Sequence, residues 1–242
     1  MNYKDYQLSI IIPVYDEKES FKHVFDTLQL TLNMNAEIII VYDKDDDNTI
    51  PEFNKVKIIN NNIKLKIFKN EGKGVKGAFL TGISKSKYQS IFLTTIDEII
   101  PIFSYNDMFE HFKKNDFDFL NATRYKLGAK RYGGSKIGHA LSFFANFILV
   151  SITKFPLSDA TTGMKMFKKD IMKDIELNLS SVGWSFTLEF SIKCYLNEIK
   201  ISEYPINSLD RVFGGYSKFE LGPWFKDYLK VFIWGLYKIY KR

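Results

Sequence analysis

Four apolar runs are spaced along the first hundred residues: LSIIIPVY (8–15), AEIIIVY (36–42), IKLKIFK (63–69) and SIFLTTI (90–96). Between the first two, Phe21, Val24, Phe25, Leu28 and Leu32 recur at helical spacing, and GVKGAFLTGISKSK (74–87) reads as a further helix. Near-continuous apolar strands alternating with helices imply a parallel sheet covered on both faces, so the pattern predicts an α/β fold. After FDFLNATRY (117–125) the rhythm changes. A long helix is expected around 136–154, a turn and strand at TTGMKMF, a helix near 185–197, a strand at KISEYPI (200–206), a glycine-rich loop at RVFGGYSKF (211–219) and a terminal aromatic helix.

In such a sheet, ligands bind outside the C-terminal ends of the strands, near the point where strand order reverses. Three of those ends are polar here: Tyr15, Asp16 and Glu17; then DKDDD (43–47); then Asp97 and Glu98. The turn NEGKGVKGA (70–78) adds glycines that permit close backbone approach, with Lys73 and Lys76. It has neither the Walker spacing nor a Rossmann G-x-G-x-x-G. Carboxylates beside a basic glycine turn suit a nucleoside diphosphate; taken alone, DKDDD also reads as a solvated loop. Asp97 and Glu98 present the hard oxygen ligands that suit Mg²⁺ or Mn²⁺, with a solvated turn as the alternative.

The net charge of +6 favours an anionic partner, but no nucleic-acid-binding motif accompanies it. One cysteine, Cys194, and three scattered histidines leave no internal disulfide and no local zinc motif. No leader pattern precedes the first strand, and the longest apolar stretch, 141–152, is shorter than the roughly 20 residues of a membrane span. A cytoplasmic location at the inner face of a membrane is the expectation.

The ordered motifs resemble those of the family-2 inverting glycosyltransferases of the GT-A fold, in particular the dolichyl- or polyprenyl-phosphate mannose synthase-like branch. PVYDE (13–17) is similar to P-x-Y-N-E, VYDKDDDNT (41–49) to V-D-D-G-S-x-D-x-T, and NEGKGVKGAFLTGI to the G-x-G helix start. ATRY (122–125), DATTGMKMFKK (159–169), GWSFTLEF (183–190), EYPI (203–206) and RVFGGYSK follow in the family's order.

The resemblance implies a GT-A domain over residues 1–222 and a separate helix over 223–242. It implies a nucleotide diphosphate sugar donor held by Pro13, Tyr15, Glu17, Asp43, Gly72, Lys73 and Gly74, and a Mg²⁺ or Mn²⁺ ion at Asp97. Arg124 would face an anionic acceptor, and Arg211 and Lys218 would close over the diphosphate. The acceptor would be a polyprenyl phosphate or other membrane-lipid phosphate, which is already ionised and needs no general base. Glu189 is either a catalytic residue or a paired helix residue. Alternatives are transfer to a saccharide hydroxyl in surface-glycan synthesis, with Glu189 or Asp159 as base, or a degenerate member that only binds nucleotide sugar.

The chain departs from the family pattern in three places. The Asp-x-Asp metal motif aligns as Thr95, Ile96, Asp97, lacking its first acid; Tyr42 and Asp45 replace an Asp and a Ser; and Lys165 stands where arginine is usual. A weakened metal site and loss of bidentate phosphate recognition at Lys165 are expected. At the C-terminus, Phe225, Tyr228, Leu229, Phe232, Ile233, Leu236, Tyr237 and Tyr240 fall on one helical stripe beside lysines, with Trp224 and Trp234 as interfacial residues. Peripheral attachment to a membrane surface is expected from it, although a core helix gives the same stripe.

Overall fold

The computed structural model describes residues 7–179, 182–209, 212–213 and 221–242. The first half alternates as the sequence predicts: β1 (Gln7–Val14), α1 (Lys18–Thr31), β2 (Asn35–Tyr42), α2 (Thr49–Asn54), β3 (Ile63–Lys69), α3 (Gly74–Lys85), β4 (Ser90–Leu93) and α4 (Tyr105–Lys114). The second half runs β5 (Phe119–Thr123), β6 (Lys130–Tyr132), α5 (Lys136–Thr153), β7 (Lys165–Lys168), α6 (Ser185–Leu196), β8 (Ile201–Pro205), β9 (Asn207–Leu209) and α7 (Leu221–Tyr240).

Seven strands form one sheet in the order β3-β2-β1-β4-β7-β5-β8, with β6 and β9 paired separately. Every pairing in the large sheet is parallel except those of β7, which runs antiparallel to both β4 and β5. The chain leaves β1 on one side to build β2 and β3, then returns to place β4 on the other. That reversal puts the ends of β1, β2 and β4 around one crevice.

Both faces of β1 are buried, which is why its sequence is apolar throughout. Leu8, Ile10 and Ile12 pack with Phe21, Phe25 and Leu28 of α1 and Phe109 of α4, whereas Ile11 packs on the opposite face with Phe79 of α3 and Phe186 of α6. The tertiary structure divides the stripe expected on α7. Tyr228, Phe232, Leu236 and Trp234 pack against the α6 side of the core, while Phe225, Leu229, Ile233, Tyr237 and Tyr240 are exposed. Trp234 is therefore a core-packing residue rather than an interfacial one. Trp224 stands over Gly183, where an added Cβ would come within 2.6 Å of its ring.

Candidate active site

The turn after β1 is built by the segment after β2. Asp47, buried, accepts the backbone N–H groups of Asp16 at 3.1 Å and of Thr49 at 2.8 Å, and the Thr49 hydroxyl accepts from the Glu17 N–H at 2.9 Å. These bonds hold Asp16 at φ 55°, a left-handed conformation that aspartate adopts more readily than most residues. Asp45 turns outward to pair with Lys69 at 2.6 Å, and Lys44 pairs with Asp16 at 2.8 Å. Of the DKDDD stretch, Asp43 alone lines the cleft.

The cleft has a volume of about 690 Å³. Pro13, Tyr15, Glu17, Asp43 and Gly74 form one wall, Thr95, Asp97 and Glu98 another, and Arg124, Trp184, Trp224 and Tyr228 the far side. The structure thus brings together seven of the residues that the resemblance placed around donor, metal and acceptor: Pro13, Tyr15, Glu17, Asp43, Gly74, Asp97 and Arg124. Gly72 and Lys73 are not among the lining residues. Gly72 instead meets Gly77, whose Cα would lie 2.9 Å from a Cβ on Gly72, so this glycine lets the turn pack on α3. Gly74, at φ 62°, opens α3 toward the cleft. Asn70 organises the turn, donating to Asp43 and to the Gly74 carbonyl and accepting from the Gly72 N–H at 2.8 Å.

Asp97 and Glu98 are half-buried at the end of the β4 segment. The Thr95 hydroxyl beside them is buried without a hydrogen-bond partner. No cluster of three or more metal-ligating acids, histidines or cysteines occurs among the described residues. Two adjacent carboxylates in a cleft sized for a diphosphate still suit a divalent ion whose remaining ligands are phosphate oxygens and water.

Arg124 follows β5 and reaches Asp159 in the loop before β7. Its Nε donates to Oδ2 at 2.6 Å and its Nη2 to Oδ1 at 2.9 Å, while its backbone N–H also donates to Oδ2 at 3.1 Å. Burial alone would raise the Asp159 carboxyl, but the charge and hydrogen bonds of Arg124 outweigh it and hold the group below the usual carboxylate range. Asp159 is therefore committed to Arg124 and poorly suited to accept a proton.

Lys165 lies underneath, wholly buried and absent from the cleft lining. Its Nζ donates to Asn121 Oδ1 at 2.6 Å, Ser191 Oγ at 2.8 Å and the Ala160 carbonyl at 3.2 Å. Asn121 in turn donates to the Asp159 carbonyl at 2.8 Å. Burial pushes the Lys165 ammonium down to about 7, opposed by the charge of Asp159. The expectation that this position touches phosphate is corrected: here it ties the Asp159 loop to β5 and α6.

Glu189 is also away from the cleft. Fully buried on α6, it accepts from the backbone N–H groups of Asn178 at 2.8 Å and Leu179 at 3.0 Å and pairs with Lys193 at 2.7 Å. That is the paired-helix role, and it removes Glu189 from the groups that can meet substrate directly. Arg211 and Lys218 lie outside the described residues.

Sequence reading missed the group beside Arg124. Arg131 on β6 is partly buried, and its Nε and Nη1 have no hydrogen-bond partner, nor has Nε2 of His139 on the first turns of α5. Burial first, and then the charge of Arg124, lowers the pKa of Arg131; burial and both arginines lower that of His139. Arg124 and Arg131 line the head of a second cavity, of about 400 Å³, that runs between α5 and α7 and is otherwise walled by residues such as Leu141, Phe144, Leu229 and Phe232. Arg124 belongs to both cavities.

The sequence profile of glycosyl transferase family 2 matches residues 9–176, which carry the cleft wall from Pro13 to Gly74, residues 95–98 and the Arg124–Asp159 pair. The chain belongs to that family. Among curated proteins, this family-2 chain is 25% identical over 198 residues to a dolichol-phosphate mannosyltransferase of Pyrococcus furiosus, covering 77% of this chain and 53% of that one. It is 22% identical over 191 residues to the poly(ribitol-phosphate) β-N-acetylglucosaminyltransferase TarP of Staphylococcus aureus, covering 76% and 57%. The chain thus spans little more than half the length of these relatives. Among solved structures, glucosyl-3-phosphoglycerate synthase from Mycobacterium tuberculosis, in complex with Mn²⁺, UDP and glucosyl-3-phosphoglycerate, superposes with a TM-score of 0.70 at 12% identity, covering 96% of this chain and 80% of that one. That likeness establishes the GT-A fold: a largely parallel sheet, flanking helices and a C-terminal helix.

Proposed function

We propose that the chain transfers a glycosyl unit from a nucleotide diphosphate sugar in the larger cleft to an acceptor that carries a phosphate, held by Arg124 and Arg131. The observation that carries this reading is the meeting of the two cavities at Arg124, beside a second guanidinium whose Nε and Nη1 have no partner. Arg124 is already paired with Asp159, but the partly buried Arg131 beside it has two N–H groups without a partner, and such a group favours an anion.

On the donor side, Pro13, Tyr15, Glu17 and Asp43 would surround the nucleoside, and the Gly74 end of α3 would face the diphosphate. Asp97 and Glu98 would hold Mg²⁺ or Mn²⁺, which would neutralise charge developing on the departing diphosphate. The solved neighbour with Mn²⁺ and UDP supports this assignment. Attack from the Arg124 side, opposite the leaving group, is an in-line displacement that inverts the anomeric centre. Phosphate as the attacking group needs no base, in keeping with the buried, paired Glu189. A hydroxyl acceptor would need one of the cleft carboxylates instead.

The relatives' names each contain a phosphate-bearing molecule, and two of them, ribitol phosphate and phosphoglycerate, are not lipids. They favour the glycan-type acceptor over the lipid phosphate first expected from sequence. The apolar groove running from the arginines favours the lipid phosphate, which is kept as a second reading. The test is transfer from UDP- and GDP-sugars to 3-phosphoglycerate, ribitol phosphate oligomers or a short prenyl phosphate, with product anomers read by NMR. Nucleotide affinity by calorimetry should fall about tenfold or more in Asp43→Ala, the loss expected for one hydrogen bond to a charged group. Absence of nucleotide binding by the wild-type chain would sink the reading.

A further inference from the structure

The most unusual surface of the molecule is α5. It spans 18 residues with a mean hydropathy of 1.3, yet only 11% of that window is buried. Ile137, Phe143, Phe144, Phe147, Ile148 and Ile152 are all exposed on it. Three of these rings touch: Phe143 meets Phe144 edge to face at 5.7 Å and stacks on Phe147 at 6.2 Å. Helix α7 packs alongside and adds its exposed row Phe225, Leu229, Ile233 and Tyr237. Scattered exposed apolar residues are ordinary, but two adjacent helices presenting them in continuous rows mark an interaction face.

We infer that the α5–α7 face seats the protein on an anionic lipid bilayer, with α5 lying in the interfacial plane. Charge selects lipid over a second copy of the chain. Residues 126–155 contain five basic residues and no acid; residues 221–242 contain five basic residues and one acid, Asp227, which is buried and accepts from Ser185. Arg131 lines the cavity, and Lys126 and Arg242 pair with Glu203 and Glu198, but Lys130, Lys136, Lys154, Lys226, Lys238 and Lys241 are exposed, so the border of the face is mainly positive and pairing it with itself would bring like charges together. On α7, Lys226 and Lys238 each follow an exposed apolar residue by one position, which places them a quarter-turn around the helix, whereas Lys230 donates to the Leu179 carbonyl at 2.9 Å. That geometry suits an apolar face in the acyl boundary with ammonium groups at the headgroups.

The helix lies on the bilayer rather than crossing it. Eighteen residues make a helix of about 27 Å against a hydrocarbon core of about 30 Å, so length and composition alone would allow a span, and its attachment to the domain argues against one. Midway along α5, Asn146 is buried and clipped to the strand-end loop, accepting from the Ala160 N–H at 2.8 Å and donating to the Thr161 hydroxyl at 3.1 Å. One flank of α5 is thereby held to the domain while the other is open. This seating goes beyond the proposed sugar transfer and is measured separately from it.

The experiment is sedimentation of the full chain with vesicles of phosphatidylglycerol and phosphatidylcholine, or of phosphatidylcholine alone, beside the variant Phe147→Ser/Ile152→Ser/Ile233→Ser. These three side chains are exposed and line neither cavity, so thermal unfolding and nucleoside diphosphate binding serve as controls for fold and donor site. The wild-type chain is expected to bind the anionic vesicles, less tightly at high salt, and the variant at least tenfold more weakly with both controls unchanged. Equal binding by the variant, or no binding by the wild type, overturns the inference. So does a wild-type dimer that the substitutions dissociate without any vesicle binding, since a second copy would then cover the face. Loss of nucleotide binding in the wild type would count against the sugar-transfer reading alone.

Discussion

Arg124 and Asp159 meet through two side-by-side hydrogen bonds, at 2.6 and 2.9 Å, with their side chains 10% and 0% exposed. A buried pair of this kind is costly to break from one side, because the surviving charge has no water to turn to. Asp159→Asn should therefore destabilise the fold by about 3–5 kcal/mol in urea unfolding. Replacing both partners together, as Arg124→Met with Asp159→Leu, should recover part of that loss. A single variant within about 1 kcal/mol of wild type would show that the pair contributes little, as exposed pairs do.

Arg131 predicts the opposite pattern. Its Nε and Nη1 make no internal hydrogen bond, so Arg131→Ala should leave the unfolding midpoint nearly unchanged. Affinity for a phosphate-bearing acceptor should fall by about 10- to 100-fold, the worth of about 1.5–3 kcal/mol for a hydrogen bond between charged groups. A rise in KM with little change in kcat is the expected signature, and an unaltered KM would remove Arg131 from the acceptor site.

Asp97, with Thr95 standing where the family's first aspartate would be, predicts a weak dependence on divalent metal. Chelator and Asp97→Asn should reduce turnover alike. Thr95→Asp would add a carboxylate where the Thr95 hydroxyl now has no partner, and it should tighten Mn²⁺ binding in a calorimetric titration. Turnover that persists fully in chelator would mean that cationic side chains alone stabilise the leaving group.

Lys165 gives a pH dependence with a definite sign. Its folded-state value of about 7 lies below the ordinary lysine value of 10.5, so between these limits the unfolded chain binds a proton that the folded chain does not. Stability from this group therefore rises as pH increases through that window, and the increment is absent below it. In Lys165→Met the slope of stability against pH from 7 to 10 should flatten. An identical slope in both proteins would place the titration elsewhere.

The alternation of apolar runs and helical stripes determined the α/β class, and the polar strand ends located the cleft wall from Pro13 to Asp43 and at Asp97. Those features are local: each depends on the period of a single element and on which residue follows its last buried position. The antiparallel β7 was not legible, because TTGMKMF has the composition of a strand but nothing that states its direction. Its direction carries large consequences, since it brings the loop holding Asp159 to the end of β5.

Sequence by itself thus named Arg124 and offered Asp159 only as a base, missing that the two bind each other, and it left Glu189 open between a catalytic and a paired role. Sheet order decided the first, and the packing of residues 178–179 on α6 the second. Arg131 and His139 had no signal in their own neighbourhood, and came to stand beside Arg124 with ring and guanidinium nitrogens lacking partners only when β6 and α5 were folded against the end of β5. Likewise the row on α7 is half core and half surface, and only the packing of α6 against it says which half is which. Spacing along a chain records what one element buries; which charges are paired and which are left waiting depends on contacts between residues far apart in sequence, and those exist only in the folded molecule.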